Sequence, residues 1–147
     1  MEFQKVEVHM RRREYDQALD LLAQIMELNP DDADYHATYG WLLFSKHDGA
    51  ESVQLEAIAA LERAIALSPD HDKSHYYLGM ILKRAGRVGE AATHFAKAAE
   101  INPRHIEAVR EVRLANMRKS ESPASRKSGR KSRSSGLLGK LFGGDKK

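Results

Sequence analysis

The sequence predicts an all-α fold made of stacked helical hairpins, and repetition along the chain is the main reason. Three segments, residues 15–30, 55–69 and 88–103, resemble one another, and each ends in an apolar residue, a polar residue and proline. Pro69 and Pro103 are 34 residues apart, within the range of periods that stacked helical repeats use. Apolar residues recur within each segment at the spacing of an amphipathic helix.

The apolar stripe of each segment combines small and large residues. A small residue lets a neighbouring backbone approach, and the larger residue that follows fills the space behind it. Proline ends each helix because it has no N–H and disfavours helical geometry in the residue before it. The stripes are Ala18, Leu22 and Ile25; Ala57, Leu61 and Ala64; and Ala91, Phe95 and Ala98.

Further helices are predicted between these segments, over residues 33–46 and 72–85. Each carries a glycine in the same register, Gly40 or Gly79. Glycine inside a helix costs up to about 1 kcal/mol relative to alanine, so its recurrence indicates close contact between helices. A last amphipathic helix is predicted over residues 106–119.

These residues resemble the tetratricopeptide-repeat (TPR) family. The resemblance divides residues 1–119 into repeats of about 1–32, 33–71 and 72–105 and a capping helix, residues 106–119. Five extra residues in the second repeat predict a longer hairpin turn near residues 46–55. The third repeat matches the family pattern most fully, at Leu78, Gly79, Gly86, Ala91, Phe95, Ala98 and Pro103.

The charge of the chain is split between its two parts. Residues 120–147 hold eight Lys or Arg and two acidic residues, whereas residues 1–119 hold 16 basic and 19 acidic residues. The serine-rich and basic composition predicts a disordered tail over residues 120–147. Within it, residues 136–144 form a short apolar motif that resembles a docking segment: Leu137, Leu138, Leu141 and Phe142.

Several classes of site and location are excluded or disfavoured by composition. The chain has no cysteine, which excludes disulfides, thiolate metal sites and a cysteine nucleophile. It contains no phosphate-binding glycine loop and no hydrolase or metalloprotease motif, so neither an enzyme nor a bound cofactor is predicted. His71 and His75, four residues apart, are a weak metal pair without an evident third ligand. The charged N-terminus lacks the apolar core of a signal peptide, and a cytoplasmic protein is predicted.

The resemblance implies that the first helix of each hairpin lines a concave groove. A carboxylate clamp, which some TPR proteins use to hold acidic chaperone tails, is disfavoured. Of its five positions, which here hold Phe3, Glu7, Thr38, Lys73 and Tyr77, only Lys73 keeps the required residue type. The groove predicted for this chain has an aromatic and methionine floor and a basic edge, and its residues are Trp41, Phe44, Lys73, Tyr76, Met80, Lys83, Arg84 and Leu114.

The function predicted from this resemblance is a protein–protein interaction scaffold or adaptor that holds a peptide or helix of a partner in the groove. Similar short arrays with basic tails occur in bacterial scaffold and chaperone-associated proteins. The alternative is non-specific binding of nucleic acid or an anionic surface by the basic tail, without base stacking because no aromatic is interleaved. The apolar motif at residues 136–144 is also predicted to dock on the groove of its own chain or of a second copy, which would give self-association.

Overall fold

The computed structural model describes residues 2–120, which form seven α-helices and no strand. The predicted all-α fold is therefore confirmed for this part of the chain. The helices that the apolar spacing indicated are all present, with boundaries close to those expected. They are α1 (Glu2–Arg11), α2 (Tyr15–Leu28), α3 (Ala33–Lys46), α4 (Glu51–Leu67), α5 (Asp72–Arg84), α6 (Val88–Ile101) and α7 (Ile106–Ser120).

The helices pair as three successive hairpins, α1 with α2, α3 with α4 and α5 with α6. Consecutive hairpins meet through α2 with α3 and through α4 with α5, and α3 also contacts α5 directly. One hairpin cannot bury both faces of its helices, so this stacking supplies the rest of the core. The compact unit that contains all three hairpins extends to Glu111, and a second unit begins at Val112 within α7.

The core follows the repeated stripes of α2, α4 and α6. Every one of their nine stripe residues is buried, as the sequence predicts. Phe95 is only 2% exposed, and Val6, which stands where the other hairpins have glycine, is fully buried. Burial of an aromatic or aliphatic side chain of this size stabilises a fold by roughly 1.5–3 kcal/mol, so these residues hold each hairpin together.

The two mid-helix glycines lie where a second helix comes very close. A β-carbon added at Gly40 would lie 2.9 Å from the main-chain oxygen of Ala57. One added at Gly79 would lie 2.6 Å from Cε1 of Phe95. Both distances are shorter than van der Waals contact, so glycine is required at both positions by the approach of α4 to α3 and of α6 to α5.

All three hairpin turns use the same helix-ending hydrogen bonds. In the third, Arg87 N–H donates to the Leu82 carbonyl at 2.8 Å and Gly86 N–H donates to the Lys83 carbonyl at 3.1 Å. This pair of bonds is the Schellman motif, which requires a left-handed residue after the helix. Gly86 takes that role with φ 87°, and the equivalent residues of the first two turns are Arg13 (φ 63°) and Asp48 (φ 53°).

The five extra residues of the second repeat do not form the longer turn that the sequence predicted. Helix α4 has 17 residues, whereas α6 has 14, and α3 has 14 residues whereas α5 has 13. The turn between α3 and α4 gains only one residue over the turn between α5 and α6. The insertion continues a helix-compatible sequence, Glu51–Leu55, and therefore lengthens α4 toward its N-terminus.

Histidines in one register join successive hairpins. His36 Nε2–H donates to the carbonyl of Pro30 at 2.6 Å, and His75 Nε2–H donates to the carbonyl of Pro69 at 3.1 Å. Since a proline that ends one hairpin also leaves its carbonyl without a helical partner, each histidine satisfies that carbonyl from the next helix. His36 and His75 occupy the same position of successive repeats, 39 residues apart, and both have this structural role.

Candidate functional site

The first helices of the hairpins carry two groups of aromatic contacts. Trp41 of α3 stacks almost parallel on Tyr77 of α5, with ring centroids 4.7 Å apart and 9° between the planes. Phe3 of α1 meets Tyr35 of α3 at 5.0 Å. We call the side of the molecule formed by α1, α3 and α5 around Trp41 and Tyr77 the aromatic face.

Trp41 and Phe44 differ in what they offer to a ligand. Their ring centroids lie 5.6 Å apart, but Phe44 is only 8% exposed and packs toward the backbone of Gly49. Trp41 and Tyr77 are each half-buried, which leaves part of the stacked pair accessible. Of the two predicted aromatic anchors on α3, Trp41 therefore has ring surface that a ligand can contact, whereas Phe44 is buried and packs against Trp41.

The basic groove residues of α5 are largely engaged within the fold. Lys83 forms an ion pair with Glu111, with Nζ and Oε1 3.0 Å apart. Arg84 donates from Nη2 to the main-chain carbonyl of Asp48 at 2.8 Å, and its guanidinium covers Gly49 in the turn of the preceding hairpin. Lys73 is also exposed, and the described part of the chain contains no ion pair or side-chain hydrogen bond that engages it.

The remaining predicted groove residues occupy different surroundings. Tyr76 is half-buried and contacts both Phe95, at 5.9 Å, and His105, at 4.8 Å, between ring centroids. Met80 is half-buried on α5. Leu114 is half-buried on α7 and belongs to the second compact unit.

The environment of Tyr77 is acidic. Burial raises the pKa of its hydroxyl to about 12, and the charged groups that add to this shift are the carboxylates of Asp34, Glu7 and Glu107, after a contribution from Tyr76. The three carboxylates come from α3, α1 and α7. Burial and these negative charges both favour the neutral phenol.

Glu7 is the least engaged of these carboxylates. It is half-buried, and it forms no hydrogen bond or ion pair with the other residues of the 2–120 segment. Asp34, by contrast, accepts from His71 Nε2 at 2.8 Å, and Glu107 lies 3.5 Å from His105.

Asp34, His71 and Ser74 form an array that has the composition of a hydrolytic triad. His71 Nε2 lies 2.8 Å from Asp34 Oδ1, and His71 Nδ1 lies 2.6 Å from Ser74 Oγ. However, Ser74 is fully buried, and His71 Nδ1 also accepts from the Ser74 N–H at 3.2 Å, as a helix cap does. The array therefore caps α5 and ties it to α3, and its hydroxyl is not accessible to a substrate.

The hydrogen bond from His71 to Asp34 has a second consequence. It is the main cause that lowers the pKa of the Asp34 carboxyl below its usual value. Asp34 therefore stays ionised at neutral pH and adds a fixed negative charge beside Tyr77.

A second pair of histidines lies in a surface depression of about 390 Å³. The Nδ1 atoms of His75 and His94 are 3.2 Å apart, and their ring centroids are 5.4 Å apart, so the rings meet edge to edge through these nitrogens. Since the carbonyl of Pro69 can only accept, His75 carries its proton on Nε2 and accepts at Nδ1 from His94. The depression is lined by His75, Thr93, His94, Ala96, Lys97 and Glu100.

His71 and His75, which the sequence suggested as a weak metal pair, bond to different partners. His71 bonds to Asp34 and Ser74, and His75 bonds to Pro69 and His94. Within residues 2–120 no group of three or more His, Cys, Asp or Glu side chains is placed to hold a metal ion. Both histidine clusters therefore serve contacts between helices.

The apolar tail motif, Leu137, Leu138, Leu141 and Phe142, lies outside the described residues, as do the basic residues on which nucleic-acid binding was predicted. The hypotheses that rest on them stay predictions. In the part of the chain that the structure describes, no helix is long and apolar enough to cross a membrane.

Comparison with protein families decides the class of the fold. The family model described as "Tetratricopeptide repeat" matches residues 3–57 and 55–106, which together cover most of the chain. The chain belongs to the tetratricopeptide-repeat family. The stripes, the recurring glycines and the prolines that end α2, α4 and α6 are thus the family's own pattern.

TPR relatives among curated proteins are much longer than this chain. Anaphase-promoting complex subunit 3 of Schizosaccharomyces pombe is 30% identical over 92 residues, which cover 63% of this chain and 13% of that protein. Cytochrome c-type biogenesis protein CycH of Rhizobium meliloti is 45% identical over 51 residues, or 35% of this chain and 13% of that protein. The chain therefore corresponds to a small part of each.

Solved TPR structures show the same fold. The first TPR of Spaghetti (RPAP3), bound to the HSP90 peptide SRMEEVD, superposes with a TM-score of 0.68 and 19% identity, covering 82% of this chain and 91% of that one. MamA superposes with a TM-score of 0.65 and 24% identity, over 81% of this chain and 67% of that one. YrrB, described as a TPR protein with an unusual peptide-binding site, superposes with a TM-score of 0.60 and 22% identity, covering 74% of this chain and 54% of that one.

Proposed function

We propose that this TPR protein is a non-catalytic interaction module that binds a peptide or helix of a partner protein on its aromatic face. The observation that carries the proposal is the accessible stack of Trp41 on Tyr77, which joins α3 to α5 on the side that the first helices line. Large aromatic side chains and arginine dominate the energy of protein interfaces because they bury much area with little loss of entropy. The peptide-bound Spaghetti (RPAP3) structure and YrrB add support, since proteins with this fold bind peptides.

The surface offers both rigid contact area and polar groups at its edges. Trp41 is held in place by Tyr77 and Phe44, so little rotamer freedom remains to be lost on binding. Met80 on α5 is half-buried and adaptable in shape, which suits a peptide side chain of variable size. Lys73 on α5 is exposed and Glu7 on α1 is half-buried, so the first helices also carry polar side chains of both charges.

The function is tested by affinity capture from lysate with the intact chain and with Trp41→Ala, followed by mass spectrometry. We expect the proteins captured by the intact chain to be lost or strongly reduced with Trp41→Ala, because truncation removes the central contact. Trp41→Phe, which keeps an aromatic ring, should retain part of the binding. Circular dichroism melting of each variant separates loss of binding from loss of the fold.

The matched control is Leu55→Ala on α4. Leu55 is 80% exposed and large, but it lies on a second helix of a hairpin and not on the aromatic face. Capture should be unchanged in this variant. If Trp41→Ala captured the same proteins in the same amounts, or if Leu55→Ala had the larger effect, the aromatic face would not be the binding surface.

A further inference from the structure

A second surface, separate from the Trp41–Tyr77 stack, is a depression of about 500 Å³ over one face of α1. We call it the α1 depression. Lys5 and Arg12 in its lining are exposed, and Val8 is half-buried. The lining thus places an aliphatic side chain among polar groups and cations, and none of its described residues is a carboxylate. These residues are Gln4, Lys5, Val8, His9 and Arg12.

The same face of α3 is covered by the first hairpin. Leu42 belongs to one buried cluster with the apolar stripe of α2, and Tyr39 packs against that cluster. In the register that aligns Val6 with the mid-helix glycines, Lys5 stands in the place of Tyr39. In the same register, Val8 stands in the place of Leu42. The α1 depression therefore lies on the face of α1 that matches the face of α3 on which α2 packs, and a helix is the element that fits it.

An ion pair between α2 and α3 supplies a template for charge recognition. Lys46 at the end of α3 pairs with Asp16 of α2, with Nζ and Oδ1 2.7 Å apart. Arg12 has the same register on α1 that Lys46 has on α3, and it makes no hydrogen bond or ion pair with the other described residues. Lys5 makes only a 3.6 Å contact with Glu2, and both side chains are largely exposed. Both cations of the α1 depression can therefore pair with carboxylates of a ligand.

We propose that the α1 depression binds an acidic amphipathic helix of a partner protein, which packs on α1 as α2 packs on α3. Charge complementarity is the reason for assigning an acidic occupant. Lys5 and Arg12 are seven residues apart, so about 10 Å separate them along the helix axis. A helix that lies along α1 reaches both cations with carboxylates seven residues apart, and an apolar residue between them contacts Val8. This inference goes beyond the proposed function and does not involve the aromatic face.

A second copy of this chain, stacked through α7, fits the α1 depression poorly. Helix α7 carries four basic and two acidic residues, so it would bring like charge to Lys5 and Arg12. A hairpin stacked as inside the array is also disfavoured. His36 and His75 donate to the proline carbonyl of the preceding hairpin, whereas α1 has Glu2 in their register. A carboxylate cannot donate that hydrogen bond.

The proposal is tested with three alanine-rich helical peptides of about 20 residues, acetylated and amidated at their ends. The first carries leucine at its centre, glutamate four residues before it and glutamate three residues after it, which matches the spacing of Arg12, Val8 and Lys5. The second has glutamine at both glutamate positions, and the third has lysine there. Binding to the intact chain is followed by fluorescence anisotropy of a labelled peptide and by amide chemical shifts along α1.

We expect the glutamate peptide to bind more tightly than the other two, with shifts centred on α1 and an affinity that falls as salt is added. Lys5→Gln combined with Arg12→Gln should weaken the glutamate peptide by roughly five- to tenfold, because two exposed ion pairs are lost. The same variant should not weaken the glutamine peptide. The matched control is Arg63→Gln combined with Arg104→Gln, which removes two exposed cations outside the α1 depression and should leave the affinities unchanged. Lys5→Glu combined with Arg12→Glu should reverse the order of the glutamate and lysine peptides.

The proposal is wrong if the glutamine or lysine peptide binds as tightly as the glutamate peptide, or if the double glutamine variant binds the glutamate peptide unchanged. It is equally wrong if no amide of α1 shifts at millimolar peptide, or if Trp41 fluorescence changes while α1 does not, which would place the peptide on the aromatic face. If truncation after Ser120 by itself shifted the α1 amides, the chain's own C-terminal segment would be the occupant in place of a partner. None of these results contradicts the proposed function, which depends on partner capture through Trp41.

Discussion

Gly79→Ala is the substitution whose effect the structure determines most directly. The added methyl carbon would lie 2.6, 2.8 and 3.0 Å from Cε1, Cδ1 and Cζ of Phe95. The ring cannot move away easily, because Phe95 is 2% exposed and Tyr76 packs against it with ring centroids 5.9 Å apart. To relieve the overlap between the added methyl and the ring, α5 and α6 must separate or Phe95 must change its rotamer.

The expected magnitude is the difference of two effects. Overpacking of a core costs roughly 1–3 kcal/mol, and contact with three ring atoms places this site in the upper part of that range. Alanine in place of glycine stabilises a helix by up to about 1 kcal/mol, because its helix propensity is higher. We therefore expect Gly79→Ala to lower the free energy of unfolding by about 1–2 kcal/mol, measured by urea denaturation followed by circular dichroism.

Gly89→Ala is the matched control within the same hairpin. Gly89 is a helical residue of α6, and a β-carbon there would meet no atom within 4 Å. The helix preference then acts alone, and the variant should be more stable than the parent by roughly 0.5–1 kcal/mol. Opposite signs for two Gly→Ala changes in one hairpin would isolate the contact with Phe95 from the backbone effect.

Double variants extend the test to the nature of the neighbour. Phe95→Leu removes ring atoms, so it should suppress part of the penalty of Gly79→Ala and give a favourable coupling in a double-mutant cycle. At Gly40 the nearest atom is the main-chain oxygen of Ala57 at 2.9 Å, so Leu61→Val should not rescue Gly40→Ala to the same degree. If Gly79→Ala were as stable as Gly89→Ala, or if its coupling to Phe95→Leu were zero, the close approach of α5 and α6 would be wrong.

Three further predictions concern ionisation and backbone strain. The raised pKa of Tyr77, about 12, means that the unfolded chain ionises at this hydroxyl first as pH rises. The ionisation of Tyr77 should therefore not affect stability near neutral pH, and should lower it by about 2 kcal/mol as pH rises from 10 to 12. The loss should be smaller in Tyr77→Phe, as measured by denaturation and tyrosinate absorbance. Burial lowers the pKa of both His75 and His94, so the unfolded chain takes up protons first as pH falls. Stability should therefore fall as pH drops below about 6.5, and the dependence of stability on pH should be weaker in His94→Gln. An equal pH dependence in the variant and the parent would refute the pairing. Gly86→Ala should destabilise the fold by about 1 kcal/mol through its φ of 87° alone, since no atom lies within 4 Å of the added carbon. Arg13→Gly, at φ 63°, should not destabilise the fold. The melting temperatures of the two variants test this prediction.

Local signals in the sequence were sufficient for the helices and for the family. Apolar spacing and the final prolines locate α2, α4 and α6, because amphipathicity and helix termination act over a few residues. The insertion in the second repeat shows where such signals become ambiguous. A segment that begins with Lys46 and contains Gly49 can extend a turn or start a helix, and in the structure most of the added residues lengthen α4.

The sequence alone determined the repeat register and the buried stripes, since each follows from periodicity within one helix or from the family pattern. Tertiary structure decided which side chains of the first helices remain accessible. Arg84 donates to the carbonyl of Asp48 in the turn of the preceding hairpin, and Trp41 stacks on Tyr77, 36 residues away. These outcomes depend on the distance and angle between hairpins, which no spacing within one helix encodes.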